Sequence, residues 1–247
     1  VITGAICVIA ECNPHAALKR HEQGWLNEIF YDLDLLSIRI NEAKDKKEAV
    51  SLGFVGNIAD LLEYFVNNKI YPDLGSDQTS LHNPWLGGYM PVGINYEEGL
   101  RLISEESSKF KNMVIDSLRR HAKAVNNLCD NGMFFWDYGN AFLLEASRAG
   151  ADIMDNTKFK FPSYVEDIMG PMCFDYGFGP FRWVCTSGKD SDLKITDEIA
   201  LKVLTELSKT SPKEIQLQYN DNIEWIKDAD NHKLVVGSKA RILYADE

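Results

Sequence analysis

The densest collection of groups able to do chemistry is the run Gly75-Ser76-Asp77-Gln78-Thr79-Ser80-Leu81-His82-Asn83-Pro84, which continues to Gly87-Gly88-Tyr89-Met90-Pro91. Carboxylate, amide, hydroxyl and imidazole groups follow one another within a few positions. Such side chains exchange hydrogen bonds readily and are costly to bury without partners. The glycines and prolines mark irregular backbone. A short apolar run, Lys69-Ile70-Tyr71-Pro72-Asp73-Leu74, precedes the loop. The pattern predicts a polar loop held at the end of a strand, where α/β sheets bind ligands. Composition alone leaves a solvated turn equally open.

Other polar groups occupy similar places. Ala5 to Ala10 is a continuous apolar run, as in a strand buried on both faces of a parallel sheet, and it ends at Glu11. In dinucleotide folds a carboxylate there accepts from a ribose hydroxyl; taken alone, a solvated strand end is the plainer reading. Ser51 to Val55 is a second buried strand, and Gly56-Asn57 turns it directly into a helix over Ile58 to Asn68. That junction makes backbone N–H groups available to a ligand. Met133 to Trp136 is a third apolar strand, ending in Asp137-Tyr138-Gly139-Asn140 before a helix from Ala141 to Arg148. Repeated strand-turn-helix passages predict an α/β fold: a Rossmann-like parallel sheet with helices on both faces, its strand ends converging on one crevice.

Several further elements must position these ends. Asn13-Pro14 suits a helix start, and a helix is expected over Ala16 to Ile29, weakened at Gly24. Asp34 is a candidate cap for the next helix, with Leu35, Ile38, Ala43 and Val50 helically spaced. A short helix covers Asn95 to Leu102. A long one runs from Ser104 to Asn127 with Phe110, Met113, Val114, Leu118, His121 and Val125 on its inner stripe. His121 on that stripe reads as a core or boundary histidine. Residues 149–161 read as a surface loop, and Ser163 to Met169 as a short helix. Cys173 to Trp183 is rich in glycine and aromatics, with Arg182 between Phe181 and Trp183. An arginine so held suggests an anion site, with a surface cation–π contact as the alternative. Helices follow over Thr196–Leu207 and Pro212–Asp228, and Leu234 to Gly237 and Ala240 to Tyr244 look like the end of the sheet.

Bulk properties exclude several classes. The chain has 247 residues, 45% hydrophobic and 26% charged, an ordinary globular composition. Its net charge of −11 argues against a nucleic-acid partner. Its apolar runs are far too short to span a bilayer. The five cysteines are odd in number and lack CxxC spacing, which fits a reduced, cytoplasmic protein with no zinc site. No GxSxG, Walker loop or HExxH is present.

The loop closely resembles the signature loop of the urocanase family: Asp77-Gln78-Thr79-Ser80, His82, Asn83-Pro84, then Gly88-Tyr89-x-Pro91. Val55-Gly56-Asn57, Phe135-Trp136-Asp137-Tyr138-Gly139-Asn140 and Gly179-Pro180-Phe181-Arg182-Trp183 match in the family's order and spacing. Phe135-Trp136-Asp137 and Trp183 to Gly188 resemble the eukaryotic-type branch. The resemblance covers essentially the whole chain. It implies a single NAD-binding domain over 1–247, cut from a longer urocanase chain just after its Gly-rich phosphate loop, with Val1-Ile2-Thr3-Gly4 the tail of the following helix. The implied activity is hydration of urocanate to 4-imidazolone-5-propanoate in histidine degradation, with tightly bound NAD⁺ acting as an electrophile and no net redox change. By the same resemblance Glu11 takes the adenosine ribose and Asn57 and Ile58 lie along the cofactor. Gln78, Thr79, Ser80, Leu81 and His82 wrap it, Tyr89, Met90 and Tyr138 complete the pocket, and Arg182 pairs with the substrate carboxylate, a bidentate task suited to guanidinium. No metal is implied. The partners implied are urocanate, the remaining segments of the same chain and a second copy in a homodimer.

Two positions depart from bacterial members: Ala16 stands for an arginine and Leu243 for a cysteine. If that alignment holds, the thiol is no obligatory nucleophile in this branch. The 247 residues are expected to fold alone, bind NAD⁺ weakly and hydrate nothing. The alternatives are an NAD-dependent dehydrogenase domain and a non-catalytic nucleotide-binding module.

Overall fold

The computed structural model describes residues 3–229 and 240–246, the side chains of 180–184 and 240–246 excepted. The chain divides into two compact units, Val1–Asp167 and Ile168–Glu247, where the sequence reading expects one domain. The division follows from pairing: strands after residue 168 pair only with each other among the described residues.

In the first unit β1 (Cys7–Glu11), α1 (Pro14–Glu22), β2 (Glu28–Phe30), α2 (Leu33–Lys46) and β3 (Ser51–Val55) form a three-stranded parallel sheet and its crossovers, in order β1-β3-β2. The expected helix to Ile29 stops early. Gly24 takes φ +79°, a left-handed conformation only glycine adopts freely, and Ile29 pairs with Gly53 in β2. In α2 the buried stripe is Leu36, Ile40 and Ala43, whereas Leu35 and Ile38 are exposed. Of the predicted stripe only Ala43 is buried within the helix, and Val50 lies outside it. Helix α3 (Ile58–Asn67) follows as expected, capped by the Asn57 side chain.

A second parallel pair, β4 (Leu74–Asp77) and β5 (Phe134–Asp137), is joined through α4 (Tyr96–Glu105) and α5 (Ser107–Asp130). The two helices expected here form, but their boundary lies later: Ser104 and Glu105 belong to α4, and the long helix begins at Ser107, after Glu106, whose φ of −137° is not helical. Helix α5 carries the core: Phe110, Val114, Leu118, Ala122, Val125 and Leu128 are each fully buried. After α6 (Phe142–Arg148) the expected loop holds a minimal hairpin, β6 (Met154–Asp155) with β7 (Lys158–Phe159). A π-helical stretch over Tyr164–Met169 replaces the short α-helix.

The second unit contains the turn α7 (Gly170–Met172), β8 (Phe178–Val184), α8 (Asp190–Thr210), α9 (Lys213–Asp228) and β9 (Ala240–Asp246). Leu204, Tyr219 and Ile226 form the core of the α8–α9 pair. The Gly- and aromatic-rich stretch opens in a 3-10 turn, Phe174–Tyr176, and continues as β8, antiparallel to β9, with Arg182 opposite Ile242. Leu243 lies opposite Phe181. The predicted strand at Leu234–Gly237 lies outside the described residues.

Candidate functional site

Four carboxyl ends of parallel strands in the first unit carry the polar groups. At β1 the Glu11 carboxylate is half-buried and accepts the Asn13 N–H at 2.8 Å. The Glu11 carbonyl accepts the Gly56 N–H at 3.0 Å, tying the ends of β1 and β3 together. Beside it, burial pushes the Cys12 thiol up to about 12, so it is protonated and inert at neutral pH.

At β3 both ends of the Asn57 side chain are used. Its Oδ1 accepts the Ala59 N–H at 2.9 Å, capping α3, and its Nδ2 donates to the Met90 carbonyl at 2.7 Å. Asn57 therefore fastens the far end of the polar loop to the α3 N-terminus, and the position offers a ligand only backbone. Asn57→Ala should lose the cap, about 1 kcal/mol, and leave the Met90 carbonyl short of a donor. A total cost of about 2 kcal/mol is expected. Asn57→Ser keeps the cap alone and should fall between. Urea unfolding measures both, read from midpoints at constant slope.

Asp77 and Asp137 are register partners at the ends of β4 and β5, 3% and 5% exposed. Each closes its own turn, the short-range bonding that suits Asp to such positions. Asp77 Oδ1 accepts the Thr79 N–H at 3.0 Å and Oδ2 the Thr79 hydroxyl at 2.9 Å. Asp137 Oδ1 accepts the Gly139 N–H at 3.0 Å, with Leu143 N at 3.4 Å from Oδ2. Burial first, with the Asp137 charge adding, lifts Asp77 from 3.8 to about 6, against the pull of its Thr79 bonds. Asn140 Nδ2 donates to the Gln78 carbonyl at 3.1 Å, and the Leu81 N–H donates to the Asn140 carbonyl at 3.0 Å. The loop after β4 is thus laced to the turn after β5.

This lacing decides which loop side chains face outward. Gln78, Ser80 and His82 are exposed and Thr79 and Met90 half-buried, whereas Leu81 and Tyr89 are buried in the core. Leu81 and Tyr89, expected against the cofactor, have their side chains in the core, where they anchor the loop. Gly88 packs against the loop's own backbone: a Cβ there would lie 2.2 Å from the Ser80 carbonyl oxygen and 2.7 Å from that of Asn83. Tyr138 is 37% exposed and stacks parallel to Tyr164, centroids 5.3 Å apart. Ile58 opens α3, directly after its cap. Arg182 belongs to the second unit, and its side chain lies outside the described residues.

Sequence reasoning left Asp77, Asp137, Asn140 and Tyr164 out of the site. The Asp-x-Thr and Asp-x-Gly spacings are a signal for the first two, since Asp commonly bonds the backbone two residues on. Nothing local signals Tyr164. Among the described residues no cluster of His, Cys, Asp or Glu is arranged to hold a metal, and no helix is long and apolar enough to cross a membrane.

The arrangement fits a polar, elongated ligand. Outward amide, hydroxyl and imidazole groups line one loop, the N-terminus of α3 sits beside it, a flat tyrosine pair flanks it, and a carboxylate stands at the β1 end. These features define a Rossmann-like α/β unit, a class consistent with a nucleotide cofactor. A family model described as the urocanase Rossmann-like domain matches residues 1–168, and one described as the urocanase C-terminal domain matches residues 171–247. The chain belongs to the urocanase family. It is 54% identical over 252 residues to a probable urocanate hydratase of Dictyostelium discoideum, covering 99% of this chain and 37% of that protein. It is 51% identical over 256 residues to the Mus musculus urocanate hydratase and over 257 residues to that of Homo sapiens, covering 100% of this chain and 38% of each. The chain thus spans little more than a third of the length of these relatives.

Proposed function

We propose that this chain provides the NAD-binding part of a urocanate hydratase, a hydro-lyase that adds water to urocanate to give 4-imidazolone-5-propanoate. The observation that carries the reading is the outward set Gln78, Ser80 and His82, presented by a doubly anchored loop in a chain of the urocanase family. Glu11 would accept from a ribose hydroxyl and the start of α3, at Asn57 and Ile58, would face the cofactor with backbone N–H groups. Thr79 and the 78–82 backbone hold the dinucleotide in line, with Met90 and Tyr138 flanking it. Bound NAD⁺ supplies an electron-poor ring that makes the substrate's imidazole susceptible to water, with no net change in its own redox state. Arg182 would grip the propenoate carboxylate. A cytoplasmic location and a homodimeric complete enzyme belong to the same reading.

The test uses a complete urocanase chain carrying these residues. Loss of urocanate absorbance with no net NADH supports the reading; NADH formed in step with product would overturn it in favour of a dehydrogenase. In the same protein Arg182→Lys keeps the charge but loses the planar fork. It should raise KM and lower turnover, a combined ten- to a hundredfold loss, about 1.4–3 kcal/mol. Unchanged steady-state kinetics would remove Arg182 from the substrate site.

A further inference from the structure

The core beneath the loop contains a polar array that the proposed reaction does not use. His121, Tyr89 and Asp77 are 1%, 2% and 3% exposed. The Tyr89 hydroxyl lies 3.3 Å from His121 Nδ1, and His121 Nε2 lies 4.0 Å from Asp77 Oδ2. Nε2 makes no hydrogen bond. Burial lowers His121 from 6.5 to about 3, so the ring is neutral, with one donor and one acceptor nitrogen. A tyrosine hydroxyl beside Nδ1 can donate to it, which puts the ring proton on Nε2. Asp77 Oδ2 then lies about 1 Å beyond hydrogen-bond length from that nitrogen.

We propose that His121 is a positioning residue for the dinucleotide loop: a buried strut between Tyr89 and Asp77 whose Nε2–H closes onto the Asp77 carboxylate when the loop is occupied. The inference rests on the dinucleotide reading above. The histidine is the fixed end. Its helix, α5, is pinned one turn earlier, where the Ser117 hydroxyl accepts the Val92 N–H at 2.9 Å and donates to the Met113 carbonyl at 2.6 Å. The imidazole also packs on Phe142 at 4.5 Å between centroids. Asp77 is the moving end. Both its oxygens hold Thr79, so a shift of the carboxylate toward Nε2 carries Gln78 to Ser80 with it. Oδ2 already accepts one hydrogen bond and has capacity for a second. An unmade bond in a buried site is a reserve that ligand contacts on the loop can bring into play.

The experiment compares wild type with His121→Gln, which keeps a donor for Asp77, and His121→Phe, which keeps none. Imidazole nitrogen NMR on the wild type should show the Nε2–H tautomer, with its proton moving downfield on NAD⁺ addition. NAD⁺ affinity measured by calorimetry should fall about ten- to thirtyfold in His121→Phe and less than about threefold in His121→Gln. With NAD⁺ bound, the Thr79 and Leu81 amides should exchange faster only in His121→Phe. If NAD⁺ binds but neither the Nε2 proton nor the His121→Phe affinity responds, the strut is overturned and the cofactor reading stands. If NAD⁺ does not bind the wild type, the cofactor reading falls and the strut, which closes only on the occupied loop, is overturned with it. Should His121→Phe fail to fold, Tyr89→Phe takes its place. It deletes only the hydroxyl that fixes the tautomer, and an unchanged tautomer would overturn the proposal.

Discussion

Asp77→Asn is expected to stabilise the chain by about 3 kcal/mol at pH 7.5 and to give no advantage near pH 4. The folded-state value of Asp77 is raised, from 3.8 to about 6, chiefly by burial. Folding therefore favours its protonated form. The stability this group contributes is fully present below its unfolded value and is lost as pH rises through about 6. An asparagine keeps the acceptor for the Thr79 N–H and turns a donor toward the Thr79 hydroxyl, so it removes the charge without emptying the turn. The difference between urea-derived stabilities of variant and wild type should follow a single step between about pH 4 and pH 6; other carboxylates titrate in both proteins and drop out. His121 works with the opposite sign. Its folded value is lowered to about 3, so stability falls as pH drops below its unfolded value. In the wild type the two slopes oppose each other between about pH 4 and 6, and Asp77→Asn uncovers the His121 slope of about 1.4 kcal/mol per pH unit. A difference curve flat in pH would refute the assignment. The same variant deprives Nε2 of its carboxylate, so a more stable fold should hold NAD⁺ less well.

Gly88→Ala is expected to cost about 3 kcal/mol and to disorder the loop before the sheet. The added methyl meets carbonyl oxygens of Ser80 and Asn83 at 2.2 and 2.7 Å. These are backbone atoms of the same loop, and the Gly88 N–H also donates to the Asn83 carbonyl at 3.2 Å. Relief requires the loop to open. The contrast is Gly99, where the obstacle is the sulfur of Met90 at 2.6 Å, a flexible side chain that can turn aside. Denaturant midpoints and site-resolved amide exchange check the prediction. Wild-type exchange at Leu81 and Thr79 in Gly88→Ala would show that the loop tolerates the methyl.

Most of what identifies the site is local and therefore legible. Apolar runs that end abruptly in Glu11, Gly56-Asn57 and Asp137-Tyr138 mark strand ends whatever the tertiary structure, and all three are strand ends in the fold. The Gly- and Pro-punctuated loop is likewise a loop. The remainder depends on partners distant in sequence. Strand β2 is three residues whose only recommendation is the neighbouring Gly53 in β3, so helical continuity outweighed it. Leu35 and Leu36 are equally apolar, and only packing decides which is buried. Leu81 and Tyr89 sit among polar residues and are given a cofactor role only by the family resemblance; the lacing through Asn140 and His121 turns their side chains inward. His121 is legible as part of a buried stripe but not as the neighbour of Asp77, because that proximity exists only once β4 has found its place against α5.

The register of β4 on β5 has a kinetic consequence. Asp77 meets Asp137 only after all of α4 and α5 has been threaded between them. Parallel pairing of this kind carries the full entropy of closing the intervening chain and is repaid late. Each strand is four residues long, too short to drive that closure itself, so the helices must largely form and pack first. The two acids are then dehydrated side by side at the final step, the costliest moment to bring like charges together. The polar loop, suspended from that last contact, is the natural place for the folded unit to open first.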